Sequence, residues 1–144
     1  MRRRGSGAAV SGFSAEVEAQ IVVRDLGACA FPGCGRHVAH LERGTGFGWA
    51  IHHRRPKSKG GTSLAWVNAA ANGVVVCEAH HRHVHANPAE SYANGFLVRA
   101  NGIQRPDEVA IQHQVLGLVL LTDEGGWVPV NEGPTPESMW KDVA

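Results

Sequence analysis

The first clear pattern along the chain is a helical one. Apolar side chains recur at three- and four-residue spacing after Ser14, a residue type that caps helices by accepting a backbone N–H. We therefore predict a helix over residues 15–26, ended by Gly27, because glycine readily adopts the left-handed conformation that terminates helices. The buried stripe of this helix is formed by Val17, Ile21 and Val22.

The middle of the chain alternates strand-like runs with helical ones. The β-branched run at residues 74–76 predicts a buried strand, and residues 49–51 predict a shorter one. Residues 78–86 predict a helix that ends at Asn87-Pro88, since the residue before a proline disfavours helical backbone. The other predicted elements are a helical turn at residues 64–71 and strands at residues 96–99, 109–112, 118–121 and 127–130.

Composition fits one compact domain with irregular ends. The chain has 144 residues, of which 43% are hydrophobic, and its 18 glycines and 7 prolines imply many loops around a thin core. Such a core often needs a bound metal ion to stabilise it. We expect a disordered basic and Gly-rich tail at residues 1–12, a domain at 13–130 and a flexible acidic tail at 131–144. No apolar run approaches the roughly 18 residues of a membrane span, so no membrane partner is expected.

Charge is distributed unevenly although the net charge is only +1. Residues 1–60 hold ten Lys and Arg against four Asp and Glu, whereas residues 61–144 hold four against nine. The basic half contains a short run that resembles a phosphate-binding footprint. A solvated basic loop is the open alternative. The candidate nucleic-acid contacts in this run are Arg54, Arg55, Lys57 and Lys59.

Three cysteines lie in positions that suit a metal. Cys29 and Cys34 flank a turn that contains glycine and proline, and Cys77 is followed by His80 at a spacing common among zinc ligands. Three thiolates and one imidazole would complete a closed, structural zinc site. The alternative is three reduced cysteines in the core. An odd number of cysteines also favours a reducing, intracellular compartment.

Histidine is concentrated in one part of the chain: six of the nine lie between residues 52 and 85. On the predicted helix, His81 and His85 stand at i and i+4 and can share one ion. His52 and His53 end the first predicted strand and point to opposite faces, so one can bind the ion while the other faces a water molecule. Asn72 is a candidate to orient that base. A second structural zinc site is the alternative.

In their order along the chain, these residues resemble the HNH, or ββα-metal, endonuclease family, in the zinc-stabilised form common in bacteriophage genomes. The resemblance covers roughly residues 24–100, and the ordered series is far more specific than any one element. The matching motifs are Cys29-xxxx-Cys34, Ile51-His52-His53-Arg54, Gly60-Gly61, Asn72-Gly-Val-Val-Val-Cys77 and His80-His81-Arg-His-Val-His85.

The resemblance implies a role for each matched position. His53 would be the general base, and Asn72 would orient it, with Asn68 left open for that role. Arg54, adjacent to the base, is the best candidate to stabilise the transition state; the alternative is that it only balances charge. His80 stands where the family usually has a fourth cysteine, which zinc accepts. The implied ligands are His52, His81 and His85 for a catalytic divalent ion, and Cys29, Cys34, Cys77 and His80 for a structural zinc.

The fold implied is α+β: a ββα-metal core stabilised by structural zinc, with an N-terminal helix and additional C-terminal β-strands. The activity implied is hydrolysis of DNA phosphodiester bonds, leaving a 5′-phosphate and a 3′-hydroxyl, with Mg²⁺, Mn²⁺, Ni²⁺ or Zn²⁺ at the catalytic site. The partners implied are DNA and a phage terminase large subunit, in the cytoplasm of the host if the chain is phage-encoded. A non-catalytic zinc module that binds nucleic acid is the alternative function. A degenerate structural protein is disfavoured because the histidine and asparagine set is complete.

Overall fold

The structure is a computed structural model that describes residues 12–43, 48–56, 65–100 and 103–130. Several predictions concern residues outside these ranges: residues 1–11 of the basic tail, Lys57, Lys59, Gly60-Gly61 and the acidic tail at 131–144. Within the described part, the fold is α+β, with three α-helices and two small antiparallel sheets. This confirms the predicted fold class at that level. No helix there has the length and apolar character needed to cross a membrane.

The first helix, α1, spans Ala15–Arg24 and begins as predicted. The Ser14 hydroxyl accepts a hydrogen bond from the Val17 backbone N–H at 3.2 Å. The helix ends two residues earlier than predicted because Asp25 is its C-cap and the chain turns left-handed at Leu26 and Gly27. The Gly27 N–H then bonds the Val22 carbonyl, which satisfies an orphan acceptor of the last turn.

A hairpin and a helix form the centre of the molecule. Strand β1 (Trp49–His53) pairs antiparallel with β2 (Gly73–Cys77), so that His53 lies opposite Gly73 and Trp49 opposite Cys77. Helix α2 (Glu78–Ala86) follows β2 without a loop, at the bounds that the sequence predicts, and packs against both strands. Two short 3-10 turns precede β2, at Ala65–Asn68 and Ala70–Asn72.

The chain after α2 differs from prediction in two places. A further helix, α3 (Pro88–Asn94), begins where the sequence predicted only an end, because proline at the first helical position needs no N–H partner. Residues 96–99 are not a strand. Phe96, Leu97 and Val98 are buried, but the Leu97 and Val98 N–H groups bond Ser91 and Arg54 instead of a neighbouring strand.

The second sheet has the order β3–β4–β5, formed by Ile111–His113, Gly117–Leu121 and Trp127–Pro129. A buried polar network joins this sheet to the rest of the core. The Asp25 carboxylate accepts hydrogen bonds from Arg24, His113 and the Val75 N–H. Arg24 also donates to the Gly73 and Ala70 carbonyls. Helix α1, strand β2 and strand β3 are thus tied together at one fully buried carboxylate.

Gly73 allows α1 to approach the hairpin closely. A Cβ atom at this position would lie 2.5 Å from Ile21 Cδ1 and 2.8 Å from Phe13 Cζ, distances that real side chains do not tolerate. The absence of a side chain therefore lets Phe13 and Ile21 pack directly on the end of β2. Gly73 of β2 is paired with His53 of β1, so this packing lies at the end of the hairpin that carries His53.

Candidate metal centres

The first candidate centre joins the turn after α1 to the start of α2. Cys29, Cys34, Cys77 and His80 place their ligand atoms within 4.8 Å of one another. Cys77 ends β2 and is the N-cap of α2, and His80 lies one turn into that helix. The Cys29–Cys34 turn is held by backbone bonds from Cys29 to Arg36 and from Ala30 to Val75. The predicted cysteine and histidine set therefore does converge, and it could hold a zinc-type ion.

The distances in this group fit a tetrahedral ion. His80 Nδ1 lies 3.3 Å from Cys77 Sγ and 3.7 Å from Cys29 Sγ. Zinc bonds of about 2.3 Å to sulfur and about 2.0 Å to nitrogen put tetrahedral N and S ligands roughly 3.5 Å apart. Phe31, in the turn between the two cysteines, stacks on the His80 ring with centroids 4.5 Å apart and fixes its orientation. Burial raises the pKa of the Cys29 thiol to about 12, so a bound cation would have to displace that proton.

The second candidate centre lies between β1 and α2 and consists of three histidines. His52, His81 and His85 also bring one nitrogen each within 4.8 Å of the others. Their ring centroids are 5.1 to 5.4 Å apart. His52 is buried, His81 is half-buried and His85 is exposed, so the group opens to solvent on the His85 side. Three protein ligands with one open side is the pattern of catalytic rather than structural metal sites.

The orientation of His52 supports its role as a ligand. Its Nε2–H donates to the Phe96 backbone carbonyl at 2.6 Å. This hydrogen bond assigns the proton to Nε2 and leaves the Nδ1 lone pair to bind an ion, the arrangement that ligating histidines usually have. Burial, helped by the neighbouring histidines, outweighs the hydrogen bond to Phe96 and lowers the pKa of His52 to about 3, so the ring is neutral at physiological pH. Burial likewise lowers the pKa of His81.

His53 contacts a different set of residues. Its ring stacks on Phe13 with centroids 4.1 Å apart, and its Nε2 donates to the Asn68 side-chain oxygen at 3.0 Å. An amide oxygen can only accept, so this contact assigns the His53 proton to Nε2 and makes Nδ1 the basic nitrogen. Of the two asparagines left open by the sequence, Asn68 is therefore the one that orients His53.

The expectation that Asn72 orients the base is wrong. Asn72 is buried, its side-chain oxygen accepts from the Arg55 N–H at 2.7 Å, and its amide donates to the Arg55 and Val67 carbonyls. The physical reason is that Asn72 sits where β1 and β2 part, and there the backbone on both sides needs hydrogen-bond partners. Asn72 therefore holds the chain just after β1 in place, and its side chain forms no hydrogen bond with His53.

The structure does not place Arg54 at the surface, where it was expected to contact phosphate or the transition state. The Arg54 side chain is completely buried, and its guanidinium donates to the carbonyls of Gly95, Ala71, Pro106 and Val109. Burial lowers its pKa to about 9, which still leaves it protonated at neutral pH. With its N–H groups occupied by backbone oxygens, Arg54 ties the end of β1 to the segments that follow α3.

Arg55 is half-buried, and its side-chain hydrogen bonds lie at the surface, where the sequence predicted a nucleic-acid contact. Its guanidinium donates to the Ala100 carbonyl through Nε at 3.1 Å and Nη2 at 2.6 Å, and lies over the Trp66 ring at 4.8 Å from its centroid. Trp66, like Phe96, was not predicted as part of the site. Phe96 could not have been found, because its contribution is a backbone carbonyl that only the folded chain brings to His52.

Protein-family models, curated proteins and solved structures were each searched, and none matches this chain.

Proposed function

We propose that the protein is a metal-dependent nuclease of the HNH type that hydrolyses phosphodiester bonds in DNA. The observation that carries this proposal is the pairing of two donor sets on one short helix. The closed Cys29, Cys34, Cys77 and His80 group has four ligands, whereas the His52, His81 and His85 group has three and opens to solvent. A divalent ion bound to the histidines would supply positive charge for a phosphate group and for the leaving oxygen.

The protein side chains provide the rest of the proposed chemistry. His53 is next to His52 in β1 and would take a proton from water at Nδ1, since Nε2 donates to Asn68. Asn68 would hold the ring in one tautomer and raise its basicity. Phe13, stacked on the ring, would restrict its rotation. Arg55, at the end of β1, would contact phosphate. The proposed base, His53, is thus the residue that the family resemblance implies. The residue proposed to orient it is Asn68 and not Asn72.

One observation favours the alternative of a zinc module that binds nucleic acid without cutting it. Neighbouring side chains of a strand leave on opposite faces, and His53 packs flat on Phe13 while His52 faces α2. A histidine that only packs between Phe13 and Asn68 would explain these contacts without any catalysis. In that case Arg55 and the basic run would bind nucleic acid, and the histidine centre would be a second structural site.

The test is plasmid nicking with the full chain loaded with zinc, assayed with added Mg²⁺, Mn²⁺, Ni²⁺ or Zn²⁺ and again after chelation. We expect conversion of supercoiled DNA to the nicked form that depends on the divalent ion. His53→Ala should reduce cutting by at least about 100-fold, in line with loss of a general base, and should leave DNA affinity unchanged. His40→Ala is the matched control, because His40 is exposed and outside both centres.

A His53→Ala variant that cuts like the wild type would refute the base assignment. A wild-type protein that binds DNA with every ion but never cuts it would refute the nuclease and favour the binding module.

A further inference from the structure

We infer that Trp66 and Arg55 form a stacking platform for an unpaired nucleobase, so that the preferred substrate is single-stranded or locally opened DNA. This inference rests on the proposed function, since it names the substrate of the same site. Trp49 belongs to the hydrophobic core, whereas Trp66 is half-buried and lies outside that core and the side chains packed on it.

Among the described residues, the Trp66 ring contacts a cation and lies outside the hydrophobic core. Its ring contact among the described residues is the Arg55 guanidinium, 4.8 Å from the ring centroid. The guanidinium is itself fixed by two hydrogen bonds to the Ala100 carbonyl. Aromatic rings and arginine planes of this kind are the surfaces on which proteins stack single-stranded bases, because every base offers a π-face. Duplex DNA cannot use them unless a base leaves the helix.

The two platform residues lie close in sequence to the candidate base and to the residue that orients it. Trp66 and Asn68 belong to one 3-10 turn, and Asn68 accepts the hydrogen bond from His53. Arg55 follows β1 by two residues, and Asn72 fixes both its N–H and its carbonyl. Trp66 and Arg55 therefore lie on the two segments that also carry Asn68 and His53. A base stacked on Trp66 would bring its own phosphate to the His53 end of β1, where Arg55 can pair with it.

Charge in this region agrees with a nucleic-acid strand. Within the described residues, the Arg55 Nη1 group has no hydrogen-bond partner and is available to a phosphate. Arg99 precedes Ala100, which holds Arg55, and it is exposed. Arginine contacts of this type position the strand without reading its sequence. The platform therefore selects for an unpaired strand but not for a particular base.

The test measures binding, separately from cutting. The full-length zinc-loaded protein is titrated, without added divalent ion, into a fluorescently labelled 15-nucleotide single strand or into the matched duplex. Trp66→Phe keeps an aromatic face, whereas Trp66→Leu keeps apolar bulk without one. We expect the leucine variant to bind the single strand about tenfold more weakly, the range that one stacked base supplies. The phenylalanine variant should stay within about threefold of the wild type, and duplex affinity should change much less.

Trp127→Ala is the control, because Trp127 is also partly exposed but lies on β5 in the other sheet. It should bind both DNAs like the wild type. Thermal unfolding of each variant guards against a folding defect. The inference is overturned if Trp66→Leu binds the single strand as tightly as Trp66→Phe, or if both variants weaken duplex and single strand equally. If binding of the single strand depends on Trp66 but the protein never cuts DNA, the stacking platform is supported and the proposed nuclease activity is refuted.

Discussion

The Nε2–H of His52 is donated to the backbone carbonyl of Phe96 over 2.6 Å, and this single contact orients the buried member of the histidine centre. It fixes the tautomer and leaves Nδ1 to bind an ion, while burial keeps the ring neutral. Phe96 also touches Phe31, the ring that stacks on His80 in the cysteine centre. The two candidate centres therefore share one packed aromatic pair as well as one helix.

The histidine centre should lose its ion when His52 is removed, while the cysteine centre keeps its own. In His52→Ala, the two remaining histidines on α2 cannot complete a site, so we expect the affinity for a divalent ion to fall by at least about 100-fold. Bound metal per chain, measured after equilibrium dialysis against Ni²⁺ or Mn²⁺, reports this loss. His40→Ala should match the wild type. Undiminished binding by the His52→Ala protein would show that the three histidines do not form a site.

Zinc uptake by the cysteine centre should release protons and stabilise the fold. Burial raises the pKa of Cys29 to about 12 in the metal-free chain, so its thiol is protonated at pH 7 and must lose that proton on binding zinc. Calorimetric titration of the metal-free protein with Zn²⁺, in buffers of different ionisation enthalpy, measures the number released. We expect at least one proton per ion, and a lower melting temperature after zinc is removed. Uptake without proton release would contradict thiolate ligation by Cys29.

Arg54 and Arg55 are neighbours in sequence and should behave in opposite ways. Arg54→Met leaves the carbonyls of Gly95, Ala71, Pro106 and Val109 without their donor, which we expect to lower the free energy of unfolding by about 3–5 kcal/mol. Arg55→Met removes a surface charge and should change stability by less than about 1 kcal/mol, but weaken binding to DNA. Urea denaturation and DNA titration of both variants separate the two effects. A stable Arg54→Met protein with weakened DNA binding would restore Arg54 as a phosphate contact.

The buried Asp25 should make the fold sensitive to acid. Burial alone would raise the pKa of this carboxyl, but the hydrogen bond from His113 and the charge and hydrogen bonds of Arg24 outweigh burial and lower it. A carboxyl with a lowered folded pKa stabilises the protein above its unfolded value of about 3.9, and that stability is lost as the pH falls through the folded pKa. We therefore expect a loss of stability below about pH 4.

Asp25→Asn tests this assignment. The variant leaves Arg24 as a buried cation without its counter-charge, so it should be less stable by about 3–5 kcal/mol at pH 7. Because the titrating group is gone, its stability should also fall less steeply than that of the wild type between about pH 5 and pH 3. Urea denaturation over this pH range gives both quantities. If the free energy of unfolding falls equally steeply with decreasing pH in both proteins, a group other than Asp25 causes the acid sensitivity.

Local sequence alone determined the parts of the site whose residues are close along the chain. The spacing of Cys29 and Cys34, of Cys77 and His80, and of His81 and His85 depends only on a tight turn and on helical periodicity, which act over a few residues. The ends of α2 were equally predictable, since Asn87-Pro88 stops a helix by local sterics. The α+β class was implied by the family resemblance that these local motifs carry.

Only the tertiary structure decided which of two chemically similar residues, close in sequence, is buried and which contacts the candidate site. Asn68 and Asn72, or Arg54 and Arg55, are chemically alike, and local pattern cannot tell which one the fold buries. Burial depends on contacts between segments far apart in sequence, such as Arg54 with Val109 and His52 with Phe96. A buried polar group must find a partner wherever the folded chain offers one, and backbone carbonyls carry no signature in the sequence.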